Sequence, residues 1–82
     1  MDIKAIYKVH DDFGNFGVIN EITEFKAYKD DPYPGTAYQV VISSGYNAGT
    51  VYHVSIFESL EDAKHDIQKL SCGTFKFEFI GA

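Results

Sequence analysis

The sequence predicts a small α+β domain in which an antiparallel β-sheet of about five strands carries one α-helix on one face. Two observations support this class. Most of the chain alternates apolar and polar residues with the two-residue period of a β-strand, and one segment near the C-terminus has helical spacing with capping residues. The 82 residues suffice for a single domain, expected to span residues 1–82 in the order β-β-β-β-α-β.

The first strand is predicted in DIKAIYKVH, at the start of the chain. Strict alternation places Ile3 and Tyr7 on one side of the sheet, and Lys4, Ile6 and Lys8 on the other. The turn residues of DDFGN then end the strand.

The second segment, Phe16 to Asp30, has a mixed pattern. Its first half is β-like, whereas Ile22, Phe25 and Tyr28 lie at helical spacing, with Asn20 as a possible N-cap. We favour a long strand with a β-bulge, because the segment leads into a turn and pairs with the strand that follows. A partly helical segment is the alternative.

A turn and a hairpin come next. In DDPYPGT, Pro32 and Pro34 remove two backbone donors and keep the residues before them out of the α region. TAYQVVISS and TVYHVSIF then alternate as two strands, joined by GYNAG, whose glycines can adopt positive φ. We expect these residues of the two strands to face the helix: Tyr38, Val40, Ile42, Tyr52, Val54 and Ile56.

The helix begins after Ser59, which is a favourable N-cap with Asp62 three residues on. Gly73 is expected to end it. One stripe of the helix should contact the sheet, formed by Leu60, Ala63, Lys64, Ile67 and Leu70. The last strand is TFKFEFI, with its three phenylalanines, Phe75, Phe77 and Phe79, on the same face.

Composition excludes several function classes. The net charge is −5, and all seven basic residues are lysines, so the arginine that usually anchors nucleic-acid contacts is absent and no nucleic-acid partner is expected. Cys72 is the single cysteine, which rules out an internal disulfide. We see no signal peptide and no run of about 18 apolar residues, and therefore expect a cytoplasmic protein without a membrane partner.

The sequence contains no recognisable catalytic or metal-binding motif. His10, His53 and His65 are scattered, and an aspartate adjacent to a histidine in sequence does not face it on a strand or helix. One cysteine and dispersed histidines do not supply the ligand set of a zinc site. We therefore predict no catalytic residue, no metal and no cofactor, and expect that the protein is not an enzyme.

The face of the sheet away from the helix is the first candidate binding surface. We expect it to be mixed in polarity, because it should comprise Lys4, Ile6, Lys8, Val41, Ser43, Val51, His53, Ser55, Phe57, Lys76, Glu78 and Ile80. A solvated sheet face usually alternates more cleanly. Scattered exposed apolar residues are also normal, and the second segment could cover some of them. The sharper interpretation is that this face binds a partner or a second copy.

Two loops add candidate contact residues. Tyr46 and Asn47 of GYNAG, and Tyr33 of DPYPG, are residue types that interfaces favour. The two loops should lie at opposite ends of the strand Thr36 to Ser44 and so form separate sites. We interpret GYNAG primarily as a hairpin turn and only secondarily as a contact site. The predicted partner-binding residues are Ile6, Tyr33, Val41, Tyr46, Asn47, His53 and Phe57.

The leading functional hypothesis is a non-enzymatic protein-binding module that acts by occupying a protein partner's surface. Small acidic proteins of this size include inhibitors and adaptors, among them inhibitors that phages or mobile elements direct against host defence proteins; the analogy rests on size and charge. One alternative is a structural homo-oligomer, such as a homodimer, that uses the open sheet face. The other is a small-ligand-binding domain centred on His53.

Overall fold

The computed structural model describes residues 2–46 and 49–81. It confirms an α+β fold with the predicted order of elements. A short 3₁₀ turn, Ser71–Gly73, lies between the helix and the last strand. The elements are β1 (Asp2–His10), β2 (Phe16–Phe25), β3 (Gly35–Ser44), β4 (Thr50–Phe57), α1 (Leu60–Gln68) and β5 (Lys76–Phe79).

The five strands form one antiparallel sheet in the order β4-β3-β2-β1-β5. The first four strands are a meander of successive hairpins, and β5 returns to pair with β1. The helix must therefore cross one face of the sheet, from the β4 edge to the β5 edge. It packs against β3 and β4.

A β-bulge in β1 changes the predicted alternation. Ala5 pairs with Asn20 and Tyr7 pairs with Ile19, which leaves Ile6 as an inserted residue. Ile6 was predicted on the face away from the helix, and this placement is wrong: its side chain is only 8% exposed and belongs to the core cluster. Simple alternation cannot reveal an inserted residue, so the error follows from the bulge.

Because of the bulge, the side chains of Ile3 and Tyr7 lie on opposite faces of the sheet, although alternation predicts the same face. Ile3, which was predicted to face the helix, precedes the bulge and is 60% exposed on the opposite face. Tyr7 and Val9 follow it and face the helix, where Val9 is buried and Tyr7 packs against the core.

From His53 onward the faces of β4 are the reverse of the prediction, whereas Val51 lies on the open side as predicted. His53 pairs with Ile42, Ser55 with Val40, and Phe57 with Tyr38, and directly opposed residues share a face. Val40 and Ile42 are in the helix-covered core, so His53 and Phe57 face the helix as well. Both alternating sets of β4 contain apolar residues, which is why the pattern did not indicate which set is buried. A second bulge, at Tyr52, shifts the register near the start of the strand.

The second segment is the long strand with an irregularity that we predicted. The register with β3 shifts between Ile22 and Phe25, where Glu24 has a positive φ of 54°. Asn20 is not a helix cap but lies in mid-strand, where its side-chain amide donates to Oε1 of Gln39 at 3.1 Å. The helical alternative is therefore wrong.

The helix joins the core as its stripe predicted. Oγ of Ser59 accepts a hydrogen bond from the backbone N–H of Asp62 at 3.0 Å, which confirms the N-cap. The helix ends at Gln68, before Gly73, and extended backbone at Leu70 separates it from the 3₁₀ turn. The core cluster comprises Ile6, Val9, Ile19, Val40, Ile42, Ala63, Ile67 and Phe75.

Candidate functional site

The face of the sheet opposite α1, called the open face below, is the most distinctive surface of the molecule. Its members follow from the strand register, because they alternate with the residues that contact the helix. Across β2, β3 and β4 none of its paired residues is charged; besides the buried Ile22 and Ala37, they include Phe16, Val18, Asn20, Gln39, Val41, Ser43, Val51, Val54 and Ile56.

Several large apolar side chains of the open face are accessible to solvent. Val54 is 56% exposed, and Phe16, Val51 and Ile56 are each about half exposed. With Ile3 of β1, they make up five of the large hydrophobic residues exposed on the described chain. The charged members of this face, such as Lys8 and Glu78, belong to β1 and β5. The apolar area is therefore concentrated on the β2–β4 side.

The structure brings together only part of the predicted binding set. Val41 lies on the open face, where it pairs with Val18 and Val54. Tyr33 and Tyr46 are almost fully exposed, and they lie beyond opposite ends of β3, as expected. Asn47 lies outside the described residues.

The other three predicted residues do not belong to this surface. Ile6 is in the core, and Phe57 is partly buried against it. His53 points toward the helix, where Nε2 is 2.6 Å from Oδ2 of Asp66. The exposed residues Val54 and Ile56 take their place on the open face. Sequence reasoning missed them because it reversed the faces of β4.

His53 has both a serine and an aspartate nearby, but their geometry is not that of a catalytic triad. Oγ of Ser55 lies 3.3 Å from Nε2 of His53, which is the same nitrogen that contacts Asp66. In a triad the two partners bind opposite ring nitrogens, so that one nitrogen can accept the serine proton. Because an ionised carboxylate can only accept a hydrogen bond, Nε2 must be the donor to Asp66, and it cannot also act as a base for Ser55. The contact between His53 and Asp66 links α1 to β4.

A second polar cluster surrounds Asp11, a buried carboxylate in the β1–β2 turn. Oδ1 accepts from the backbone N–H groups of Phe13 and Asn15, at 2.9 and 2.8 Å. Oδ2 accepts from the Asn15 amide at 2.7 Å and from the Ser71 hydroxyl at 2.5 Å. Burial alone would raise the pKa of Asp11, but the hydrogen bonds from Ser71, Asn15 and Phe13 outweigh it, so the pKa is lowered. A carboxylate satisfied in this way has a structural role.

Tyr52, the bulged residue of β4, is electrostatically linked to this cluster. Partial burial, and then the negative charge of Asp11, raise the pKa of Tyr52 above its usual value. A hydrogen bond with Ser71 acts in the opposite direction. The cluster therefore connects the β1–β2 turn, β4 and the 3₁₀ turn.

A cavity of about 460 Å³ opens at one end of the open face. It lies where the β2–β3 loop meets the start of β3 and the end of β4. Ile56 of the open face belongs to its wall. The lining residues are Phe25, Ala27, Asp31, Tyr33, Gly35, Thr36, Ala37, Ile56, Phe57 and Glu58.

Among the described residues, no three histidine, cysteine, aspartate or glutamate side chains are grouped closely enough to hold a metal ion. In the same part of the chain, no helix has the length and apolar character needed to cross a membrane. No family model matches the sequence, and neither a curated protein nor a solved structure is significantly similar to it. Function is therefore inferred from the geometry of this chain alone.

Proposed function

We propose that this protein is a non-enzymatic protein-binding module that engages a partner protein through the open face of its sheet. One observation carries the proposal: β2 and β4 present half-exposed apolar residues, and the open face carries no charged residue among the paired positions of β2, β3 and β4. An antiparallel sheet with one solvated face usually places polar residues there. Apolar surface that lacks charge is the composition found at the centre of protein–protein interfaces.

The partner is a different protein rather than a second copy of this chain. Two copies would each bring a net charge of −5, which opposes their association and favours a partner of opposite charge. The protein would act by covering a surface of that partner, as an inhibitor or an adaptor does. A reducing, cytoplasmic location, which the single exposed Cys72 would tolerate, is part of the same proposal.

The side-chain geometry supports a role without catalysis. Ser55 and Asp66 compete for the same nitrogen of His53, so this cluster offers Ser55 no base. His53 also does not line the cavity at the end of β3 and β4. This arrangement therefore does not favour the alternative of a small-ligand-binding domain centred on His53.

The test compares an open-face variant with a control in one binding assay. A partner is first captured by chemical cross-linking from cells, and then purified and titrated calorimetrically with the wild-type protein. The double variant Val51→Lys/Val54→Lys places two charges on the open face, and we expect it to bind at least about tenfold more weakly. Phe13→Lys is the control, because Phe13 is exposed in the β1–β2 turn, outside this face.

Equal affinities of the double variant and the wild type would contradict the proposal. The native mass is measured in parallel. A mass of twice 9.2 kDa that the double variant reduces to the monomer value would instead establish the homo-oligomer.

A further inference from the structure

The cavity beside Ile56 has a well-defined chemical character. Its volume of about 460 Å³ falls within the roughly 300–1,000 Å³ typical of ligand pockets. Its lining residues include three aromatic residues, Phe25, Tyr33 and Phe57. Two carboxylates, Asp31 and Glu58, line it as well. An occupant with an apolar stem and a positive end matches both features.

One of these carboxylates also holds the wall of the cavity in place. Oδ1 of Asp31 accepts from the backbone N–H of Tyr33 at 2.9 Å, and Oδ2 accepts from that of Ala27 at 3.2 Å. The loop is thus folded around the carboxylate of a residue that lines the cavity. Glu58 is exposed and follows β4 directly. No lysine occurs among the described lining residues, so the lining as a whole is negative.

The neighbouring edge of the sheet is open to an extended chain. β4 is an edge strand, and its second half, residues 53–57, pairs regularly with β3 and contains neither lysine nor proline. Such residues normally protect an edge strand against pairing with another chain. The other edge, β5, is only four residues long and carries Lys76 and Glu78. A segment added to β4 would run toward the cavity and toward the acidic first turn of α1.

We propose that the cavity binds a lysine or arginine side chain from an extended segment of the partner, which lies along the edge of β4. The inference rests on the proposed protein-binding function and names the chemistry of the partner. The aliphatic stem packs against the aromatic walls, and the charged end lies near Asp31 and Glu58. Backbone hydrogen bonds along β4 supply affinity, while the cavity selects a basic side chain.

The first test uses two small probes of the same shape. Butylguanidinium carries a positive charge, whereas butylurea is neutral. We expect butylguanidinium to cause saturable shifts of the amide resonances of Tyr33, Thr36 and Glu58, with butylurea at least about fivefold weaker. Glu58→Gln should weaken butylguanidinium binding by about threefold or more. Glu61→Gln is the matched control, because Glu61 carries the same charge on α1 but does not line the cavity.

Equal affinity for the two probes would overturn the inference, because the cavity would then not select charge. Equal losses from Glu58→Gln and Glu61→Gln would also overturn it, since the probe would then respond to the general acidity of the surface. The expected pattern is a loss confined to Glu58→Gln.

The second test uses two peptides, acetyl-TVTKTVT-amide and acetyl-TVTETVT-amide. We expect the lysine peptide to bind about tenfold more tightly and to slow hydrogen exchange of the β4 amides. Failure of both probes and peptides, with partner binding still lost in Val51→Lys/Val54→Lys, would remove the cavity inference and leave the proposed function standing. Partner binding that survives this double variant would contradict the proposed function even if the cavity binds its probes.

Discussion

Nε2 of His53 lies 2.6 Å from Oδ2 of Asp66, and this contact joins the edge strand β4 directly to α1. About three quarters of each side chain is shielded from solvent. A pair of this kind stabilises more than an exposed pair, because its hydrogen bond to a carboxylate is partly protected from water.

A double-mutant cycle on this pair should reveal a coupling free energy. We expect His53→Ala and Asp66→Ala each to lower the free energy of unfolding by about 1 kcal/mol, with a coupling of similar size. Urea unfolding at neutral pH measures it. The exposed pair of Lys76 and Asp12, 3.2 Å apart, is the internal control and should couple by less than about 0.5 kcal/mol. Equal coupling free energies in the two pairs would show that the contact between His53 and Asp66 stabilises the fold no more than an exposed ion pair does.

The Asp11 carboxylate should make stability sensitive to acid. Its pKa is lower in the folded state than the unfolded value of 3.8. The resulting stability is present above that unfolded value and is lost as the pH falls through the folded pKa. Asp11→Asn should lower the free energy of unfolding at pH 7 by about 1–3 kcal/mol, because one oxygen acceptor becomes a donor among groups that already donate.

The same substitution should make the free energy of unfolding depend less steeply on pH in the acid range. Unfolding measured between pH 6 and pH 2, with Asp12→Asn as control, tests this prediction. If the free energy of unfolding of Asp11→Asn falls with decreasing pH as steeply as that of the wild type, the role assigned to the carboxylate is refuted.

Tyr52 should contribute at the opposite end of the pH range. Its pKa is raised above the ordinary value of 10.0 by burial and by the charge of Asp11. A raised pKa adds stability that is present below the unfolded value and is lost as the pH rises through the folded pKa. Tyr52→Phe should therefore reduce the loss of stability above about pH 10. Tyr46→Phe, at a nearly fully exposed position, should leave the alkaline limb unchanged.

The contact between the two hairpin turns should not tolerate a side chain. A Cβ atom added to Gly45 would lie 2.1 Å from the carbonyl oxygen of Gly14, which is fixed backbone. We expect Gly45→Ala to lower the free energy of unfolding by about 1–3 kcal/mol. Gly35→Ala meets no atom within 4 Å and should be neutral or slightly stabilising. Similar thermal midpoints for the two variants would contradict this close packing.

Much of the fold was predictable because its signals are local. The N-cap at Ser59 needs only the backbone of the next turn, and Pro32 and Pro34 restrict the chain wherever they occur. Alternation identified the strands and their order along the chain, and the stripe of α1 that contains Ala63 and Ile67 identified the buried side of the helix.

The composition of the open face was less predictable, because it depends on the register of distant strands. Inserted residues at Ile6 and Tyr52 change which side chains share a face, and only pairing with β2 and β3 reveals them. Val54 and Ile56 are therefore accessible to solvent. His53 instead points toward Asp66, a partner that no sequence motif connects to it.

By itself, then, the sequence determined the class of fold, the elements and their order, since period, capping and turn chemistry act over a few residues. Only the tertiary structure decided which face of β4 is covered, what surrounds Asp11, and where a cavity forms beside Ile56. The physical reason is that these features require chain segments far apart in sequence to meet. Ser71 binds Asp11 across 60 positions, and a single inserted residue in a strand reverses every side chain beyond it.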